Sequence, residues 1–391
     1  MPRTTITTAL AAGSFGLFAL GQAGAQDSVK IGLVLPMTGP QASTGKQIDA
    51  AVRLYQQQRG TTVAGKKIEV LLKDDGAVPD NTRRLVQELI VNDKVSIIAG
   101  FGVTPAAMAA APLATQGKVT QVVMAAGTSI ITEASPNIVR TSFTLAQSVV
   151  PIGQWAIRNG IRKVVSIVSD YAPGTDAETA FKMGFVANGG EVTQWIRVPL
   201  ANPDFAPFLQ RAADDRPDAI FVFVPSGQGS IFVKQFIERG LDKAGVKIIG
   251  SGDVTDDDIL NNMGDQVIGT VTAQFYSAAH PSAANKAYVE AFKKQSNFRP
   301  NFMSVGGYDG MHLIYETLKK TGGKADTESL VGGMKGMMWE SPRGPVAIDP
   351  QTRDIIQNIY IRKVEKVDGE LWNVEFATFE AIKDPVKAAR K

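Results

Sequence analysis

Residues 94–132 read KVSIIAGFGVTPAAMAAAPLATQGKVTQVVMAAGTSIIT, and this stretch decides the fold of the chain. A β-branched run over 95–99 ends in glycine, and Thr104 with the proline after it then begins a helix of small residues, as an N-cap and first helical position. The pattern starts again, with an apolar run over 119–124 that ends in the small and polar residues 126–129. The stretch predicts two buried parallel strands joined by a helix.

A polar loop follows each of these strands. Thr104 lies in the first loop, and Ala126, Gly127 and Thr128 lie in the second. Parallel strands joined by one helix place both loops at the same edge of the sheet, where ligands bind in open α/β folds. Hydroxyls and unpaired backbone N–H groups favour an anion at such an edge, so we expect a ligand carboxylate there.

Composition and charge exclude several classes of protein. The chain has 41 basic and 38 acidic residues, for a net charge of +3, and no basic stripe interleaved with aromatic residues, so we expect no nucleic-acid partner. Cysteine is absent, which excludes disulfides, thiolate metal sites and a lipid-bearing cysteine. His280 and His312 lack neighbours at metal-ligand spacing. We expect no metal, no cofactor and no catalytic residue.

The N-terminus has the pattern of a cleavable signal peptide. Arg3 precedes an apolar run over 9–20, and the small residues 23–25 read Ala-Gly-Ala. We therefore predict that residues 1–25 are removed and that the mature protein diffuses freely in the periplasm. The apolar run is too short for a stable membrane anchor.

Strand and helix patterns alternate along the rest of the chain, which predicts an α/β fold with parallel sheets covered on both faces. A short extended piece over 138–142 breaks this alternation and is predicted to cross between two lobes. Residues 343–376 are rich in strand patterns, with a hairpin turn at Asp368-Gly369. The predicted division is residues 27–143 with 276–336 for lobe 1, and 144–275 with 337–391 for lobe 2.

Three further strands end in polar loops, which carry Tyr171, Ser226 and Asp253. Their position at strand ends makes them candidate ligand contacts. Thr175 and Thr255, each three residues before an acidic residue, are instead predicted to cap helices.

These motifs, in this order, carry a family resemblance. The segments KIGLVLPMTGP, AGFGVTPAA, AAGTS, VRTSF, SDYAPGTDAETAF and GSGDVTDDD resemble the periplasmic substrate-binding proteins of branched-chain amino acid ABC transporters. The resemblance covers nearly the whole mature chain. It implies a type I periplasmic binding fold, in which two Rossmann-like lobes with parallel central sheets are joined by three crossover segments. It also implies a monomer that closes on a small solute and delivers it to an ABC permease.

The resemblance also assigns roles by position. Thr104, the Ala126 backbone and Thr128 fall where the family holds the carboxylate and amino group of an amino acid, and Gly127 lies in the same loop. Asp253 falls near the family's acidic residue that pairs with the α-ammonium. Tyr171 and Ser226 fall in loops that cover the ligand.

Two departures leave the ligand class open. Pro173 stands where amino-acid binders often have a tyrosine, and a tyrosine near Thr44 is missing. A branched-chain or other hydrophobic amino acid is the first expectation. Some relatives take up aromatic carboxylates, and for such a ligand we expect Phe101 to line the pocket.

Three alternative functions share some features with this sequence. Ser43 and Lys46 match S-x-x-K, and 320–322 match K-T-G, as in serine β-lactamases, but K-T-G ends a helical pattern here instead of lying on a strand. Residues 100–105 begin like a dinucleotide-binding fingerprint, yet proline replaces its third glycine. A solute receptor that signals to a sensory partner has the same sequence features as a transport protein.

Overall fold

The computed structural model describes residues 1–2 and 28–390, and within them the strands form two sheets. The predicted signal peptide and its cleavage site lie outside the described residues, apart from the first two. The first sheet is parallel except for one short edge strand, and the second joins five parallel strands to an antiparallel part. Both sheets are flanked by helices, so the predicted α/β class with two central sheets is confirmed.

The first sheet has six strands in the order β2-β3-β1-β4-β5-β6, all parallel except β2. Its central strands are buried on both faces, which explains their continuous apolar sequence. The elements of this part are β1 (Ser28–Leu35), α1 (Ala42–Arg59), β2 (Thr62–Val63), β3 (Lys66–Asp74), α2 (Pro79–Val91), β4 (Ile97–Gly100), α3 (Thr104–Gln116), β5 (Thr120–Val123) and β6 (Ile138–Arg140).

The next part of the chain begins the second sheet, in which β8-β7-β9-β10-β11 are parallel neighbours. Its elements are α4 (Leu145–Arg158), β7 (Lys163–Ser169), α5 (Ala172–Gly184), β8 (Glu191–Val198), α6 (Ala206–Asp214), β9 (Ala219–Phe223), α7 (Gly229–Glu238), β10 (Lys247–Ser251) and β11 (Val271–Gln274). A 3-10 turn over Gly252–Thr255 follows β10 directly.

The C-terminal part returns to the first sheet before it completes the second. Helices α8 and α9 pack on α1, and α10 packs on β5 and β6. Antiparallel strands then extend the second sheet beyond β11, and β14 and β15 form the predicted hairpin. The elements are α8 (Ala283–Ser296), α9 (Phe302–Lys320), α10 (Thr327–Met334), β12 (Met338–Ser341), β13 (Gly344–Ile348), β14 (Ile355–Val367), β15 (Glu370–Ile382) and α11 (Pro385–Ala388).

The chain thus passes between the two sheets three times within the described residues, over 141–144, 275–282 and 335–337. The predicted crossing over 138–142 is partly wrong, because its first three residues form the edge strand β6. The exact lobe bounds given above stay a prediction.

Two predicted helix caps are also wrong. Helix α5 begins three residues before Thr175, with proline in its first turn, and Glu178 pairs with Arg197 at 2.8 Å. The Thr255 hydroxyl is buried and donates to Asn373 Oδ1 at 2.8 Å instead of capping a helix. In both places a side chain that the sequence pattern predicts as part of a cap, Glu178 or Thr255, is bound instead by a residue from another element.

A buried arginine connects the passages between the sheets. Arg343, 1% exposed, donates through Nε and Nη2 to Asp309 Oδ2 in α9, at 2.9 and 2.5 Å. Its guanidinium also donates to the carbonyl oxygens of Thr141 and Ser142 in the first passage, and to Gln357 Oε1 of β14. Burial lowers the pKa of Arg343, and the Asp309 charge opposes that shift. One side chain therefore ties both sheets to the segment that joins them.

Asp309→Asn should lower the free energy of unfolding by about 3–5 kcal/mol, because it leaves a buried guanidinium without its counter-charge. The measurement is urea unfolding followed by circular dichroism. Arg53→Ala is the control: its pair with Asp49 is on the surface, with the Arg53 side chain 62% exposed, and we expect a change of about 1 kcal/mol or less. Equal losses in the two variants would contradict a structural role for the Arg343–Asp309 pair.

Candidate functional site

A cavity of about 160 Å³ lies between the carboxyl ends of the strands of the two sheets. The loops after β4 and β5 form one wall, which we call the first wall. The loops after β7, β9 and β10 form the other, the second wall. The cavity is lined by Gln41, Ala77, Gly102, Val103, Thr104, Pro105, Ala125, Ala126, Gly127, Phe143, Leu145, Tyr171, Pro173, Leu200, Phe223, Pro225, Ser226, Asp253 and Met303.

On the first wall, Thr104 begins α3 and its side chain does not cap the helix. Its Oγ1 lies 2.9 Å from the Oγ1 of Thr128, and both residues are buried. The N–H groups in the first turn of a helix have no intrahelical partner, and here those of Thr104 and Ala106 are the available donors, because Ala107 N–H already donates to Val103 O. The first wall therefore presents hydroxyls and helix N-terminal donors, which favour an anion.

A buried arginine shapes the second loop of this wall. Arg140 donates to the carbonyl oxygens of Ala126 and Thr128, at 3.3 and 2.8 Å, and is paired with Asp354 at 3.1 Å. The N–H of Ala126 donates to Phe101 O. The backbone of Ala126 is therefore already paired through both its polar groups, which argues against the direct ligand contact predicted for it. Its side chain lines the cavity.

A side chain at position 127 would crowd the neighbouring ring of Phe143. A Cβ built there would come within 3.1 Å of the ring of Phe143, which itself lines the cavity. The ring of Phe143 packs on Phe275 and Phe302, with centroids 5.2 and 5.9 Å away. The loop after β5 thus lies directly on an aromatic cluster.

On the second wall, Tyr171 and Phe223 stack, with ring centroids 6.1 Å apart and planes at 10°. Both rings line the cavity. Burial raises the pKa of the Tyr171 hydroxyl, and the nearby Asp253 carboxylate adds to the shift, so this hydroxyl stays protonated. The wall offers a flat apolar surface with a neutral polar tip.

Asp253 lies in the same wall and is 5% exposed. Burial raises its pKa to about 6, and the hydroxyls of Ser251 and Ser226 and the charge of Arg362 oppose that shift. Gly252 permits this arrangement, because a Cβ there would come within 2.4 Å of Arg362 Nη2. The turn that carries Asp253 therefore lies against a buried arginine.

The structure brings together most of the residues that the sequence singled out. Six line the cavity: Thr104, Ala126, Gly127, Tyr171, Ser226 and Asp253. Thr128 lies behind the wall and contacts Thr104. Phe101 does not line the cavity; it is fully buried in the apolar cluster around α3, so its predicted place at the pocket is wrong.

The apolar lining of the cavity has no signal in the sequence. Phe143, Phe223 and Met303 come from a passage, a strand end and a helix, where an apolar residue is ordinary core composition. No local pattern marks such residues as cavity lining, because their exposure to the cavity depends on how the two sheets face each other.

Two carboxylates form polar contacts between the two sheets. Ser43 in α1 donates to Asp258 Oδ2 at 2.6 Å, and Asn301 before α9 donates to Asp258 Oδ1 at 3.3 Å. Burial raises the pKa of Asp176 in α5, opposed by hydrogen bonds from Ser129 N–H and the Thr128 hydroxyl. Acidic residues that follow or flank the second sheet thus contact residues of the first.

Within residues 1–2 and 28–390, no group of three or more His, Cys, Asp or Glu side chains is placed to hold a metal ion. The same part of the chain contains no helix with the length and apolar content that crossing a membrane requires.

Comparison with known proteins gives consistent matches over almost the full chain. A Leu/Ile/Val-binding protein homolog 6 from Brucella melitensis is 44% identical over 364 residues, which is 92% of this chain and 93% of that protein. A solute-binding protein of an ABC transporter from Rhodopseudomonas palustris BisB5, solved in complex with 3,4-dihydroxybenzoic acid, is 70% identical, with a TM-score of 0.91 over 92% of this chain and 99% of that one. Another, from R. palustris HaA2, was solved in complex with p-hydroxybenzoic acid and is 44% identical, with a TM-score of 0.90 over 93% and 100% of the two chains.

The family model described as periplasmic binding protein matches residues 28–370, which include both sheets and both walls of the cavity. This chain belongs to the periplasmic binding protein family and is the solute-binding protein of an ABC transporter.

Proposed function

We propose that this protein binds an aromatic carboxylate of the benzoate class in the cavity between its two sheets and delivers it to an ABC permease. The observation that carries the proposal is the 70% identical solute-binding protein, whose bound molecule is 3,4-dihydroxybenzoic acid. In this proposal the chain acts as a monomer in the periplasm, after removal of residues 1–25.

The size and lining of the cavity support a single aromatic ring. Its volume is about 160 Å³, and an apolar cavity of about 150 Å³ is sufficient to hold benzene. Tyr171 and Phe223 offer stacked rings on one wall, and Phe143 offers a ring from the adjoining passage. Flat apolar surfaces of this kind suit a planar ligand.

The first wall would hold the carboxylate. Each threonine hydroxyl has one hydrogen to donate, so when Thr104 donates to a ligand carboxylate, Thr128 has to donate to Thr104 and give up its hydrogen bond to Asp176. The N–H groups of Thr104 and Ala106 add donors at the positive end of α3. Anion binding at this wall needs no charged side chain.

An aliphatic amino acid is the second candidate, because a 44% identical relative is named as a Leu/Ile/Val-binding protein homolog. Asp253 could then pair with the ligand ammonium. The planar aromatic lining favours the aromatic acid over this candidate.

We also propose that the protein is not an enzyme. In the Ser43/Lys46 hydrolase alternative, Ser43 would be the nucleophile. Its hydroxyl instead donates to Asp258 at 2.6 Å, and Lys46 is exposed. This arrangement supports a role for Ser43 in holding the two sheets together over the cavity.

A thermal unfolding series tests the ligand class. 3,4-Dihydroxybenzoate and 4-hydroxybenzoate should raise the melting temperature, because a ligand at a hundred times its Kd adds about 2.7 kcal/mol to the stability of the folded state. Leucine, isoleucine and valine at the same concentrations serve as comparison. A shift with these amino acids and none with the aromatic acids would refute the proposal.

Thr104→Val should weaken binding of 4-hydroxybenzoate by about 1–3 kcal/mol, because the ligand carboxylate loses a buried donor. Isothermal titration calorimetry gives the Kd. Thr104→Ser keeps the hydroxyl and is the matched control, for which we expect an affinity near that of the wild type. Unchanged affinity in Thr104→Val would exclude Thr104 from the site.

Ser43→Ala tests the contact between the sheets. If Ser43 and Asp258 pair only in the closed form, the variant should lose roughly 0.5–1.5 kcal/mol of affinity through faster ligand release. Stopped-flow displacement measures the release rate. Ser296→Ala is the control, since its hydroxyl bonds to Phe292 O within the same helix. Equal release rates in Ser43→Ala and wild type would contradict a closing role.

A further inference from the structure

We propose that Asp253 selects for a ring hydroxyl, so that the protein binds hydroxybenzoates in preference to benzoate itself. This inference rests on the proposed function, because it assumes a ligand with a carboxylate at the first wall. In addition to the carboxylate site of the first wall, it gives the second wall a role in selecting ligands with a ring hydroxyl.

One oxygen of Asp253 lacks a partner. Oδ1 accepts a long hydrogen bond of 3.4 Å from Ser226 Oγ, whereas Oδ2 is buried and has no hydrogen-bond partner among the described residues. Buried carboxylate oxygens are normally satisfied, and leaving one unpaired is costly. Because Asp253 lines the cavity, a ligand in the cavity can supply the missing donor.

The nearest hydroxyl is that of Ser251, which lowers the pKa of Asp253 but makes no hydrogen bond among the described residues, and the other neighbouring groups do not supply the donor either. Arg362 directs its Nη1 to Tyr276 O and its Nη2 to Gly252 O and Thr272 Oγ1, so its charge acts on Asp253 without a hydrogen bond. Burial raises the pKa of Asp256, the other buried acid beside Asp253, well above its usual range, and the charges of Asp258 and Asp253 add to that shift. The charge of Asp253 raises the pKa of Tyr171, but among the described residues no hydrogen bond joins the two side chains. A hydroxyl of a ligand in the cavity can therefore supply the donor that these groups leave missing.

The chemistry of that donor follows from the two walls. The anion-binding groups belong to the first wall, whereas Asp253 belongs to the second. An α-amino acid carries its carboxylate and its ammonium on one carbon. A hydroxybenzoate separates its carboxylate from its hydroxyl donor by a rigid ring, which suits acceptors and donors on facing walls, and the para position points directly away from the carboxylate.

Burial supports the same selection at neutral pH. Since the pKa of Asp253 is raised to about 6, the group is ionised above that pH and accepts a hydrogen bond without donating one. Benzoate would then place its ring against an unpaired carboxylate or force that carboxylate to take up a proton. A ring hydroxyl avoids both costs.

Calorimetry with the full-length mature protein tests the proposal through three probes: benzoate, 4-hydroxybenzoate and 4-methoxybenzoate. We expect 4-hydroxybenzoate to bind about ten- to a hundredfold more tightly than the other two, because only it donates a hydrogen bond to a charged acceptor. 3-Hydroxybenzoate determines whether the meta position serves as well.

Asp253→Ala should bring the affinity ratio between 4-hydroxybenzoate and benzoate to within about threefold, mainly through weaker hydroxybenzoate binding. Asp253→Asn keeps the shape and an uncharged acceptor, so its ratio should fall between those of Asp253→Ala and wild type. Asp256→Asn is the matched control, since this buried acid does not line the cavity and should leave the ratio unchanged.

The pH dependence gives an independent readout on the wild-type protein. Tyr171, Asp256 and Arg362 are the other ionisable groups beside Asp253. As the pH falls through about 6, Asp253 takes up a proton, so benzoate affinity should rise and the preference for 4-hydroxybenzoate should shrink.

The outcomes separate this inference from the function on which it rests. Equal binding of benzoate and 4-hydroxybenzoate by wild type overturns the role of Asp253 and leaves the aromatic-acid function intact. Binding of leucine with no binding of any benzoate overturns the proposed function itself. A ratio that is unchanged in Asp253→Ala, or lost in Asp256→Asn, also contradicts the assignment.

Discussion

The ion pair between Arg343 and Asp309 joins the two sheets of this protein at the place where the chain passes between them. Arg343 directly precedes β13, and Asp309 lies in α9. The Arg343 guanidinium also donates to the carbonyl oxygens of Thr141 and Ser142 in the first passage. A buried charge of this kind is stable only while its partners stay in place. Every residue of the cavity depends on that arrangement, because each wall belongs to a different sheet.

Two further buried arginines position the walls themselves. Arg140 holds the carbonyls of the loop after β5, and Arg362 lies beneath the turn that carries Asp253. The groups that line the cavity carry no positive charge. The first wall has hydroxyls and helix N-terminal donors, and the second wall has stacked rings and the Asp253 carboxylate. The arginines hold the loops in place, while neutral dipoles and one acid line the cavity.

Much of this could be predicted from the sequence. The apolar runs over 95–99 and 119–124 predict β4 and β5 to within two residues at each end, because buried parallel strands have continuous apolar runs. Strand-end loops led to Thr104, Tyr171, Ser226 and Asp253, all of which line the cavity. The short strands β2 and β12 and the helix α10 were missed, since elements of this length have little periodicity. Phe101 was misplaced because adjacency to a loop does not determine which way a side chain points.

The sequence by itself determined the α/β class, the two sheets and the polar strand ends, since these follow from local periodicity and turn chemistry. Only the tertiary structure decided which residues meet. It paired Ser43 with Asp258, 215 positions apart in the chain, and left Asp253 Oδ2 without a donor. It also placed Phe143 and Phe223, which pack in the apolar core, where they line the cavity. Such pairings depend on the relative placement of two sheets, which is fixed by long-range packing and buried charges that no local pattern records.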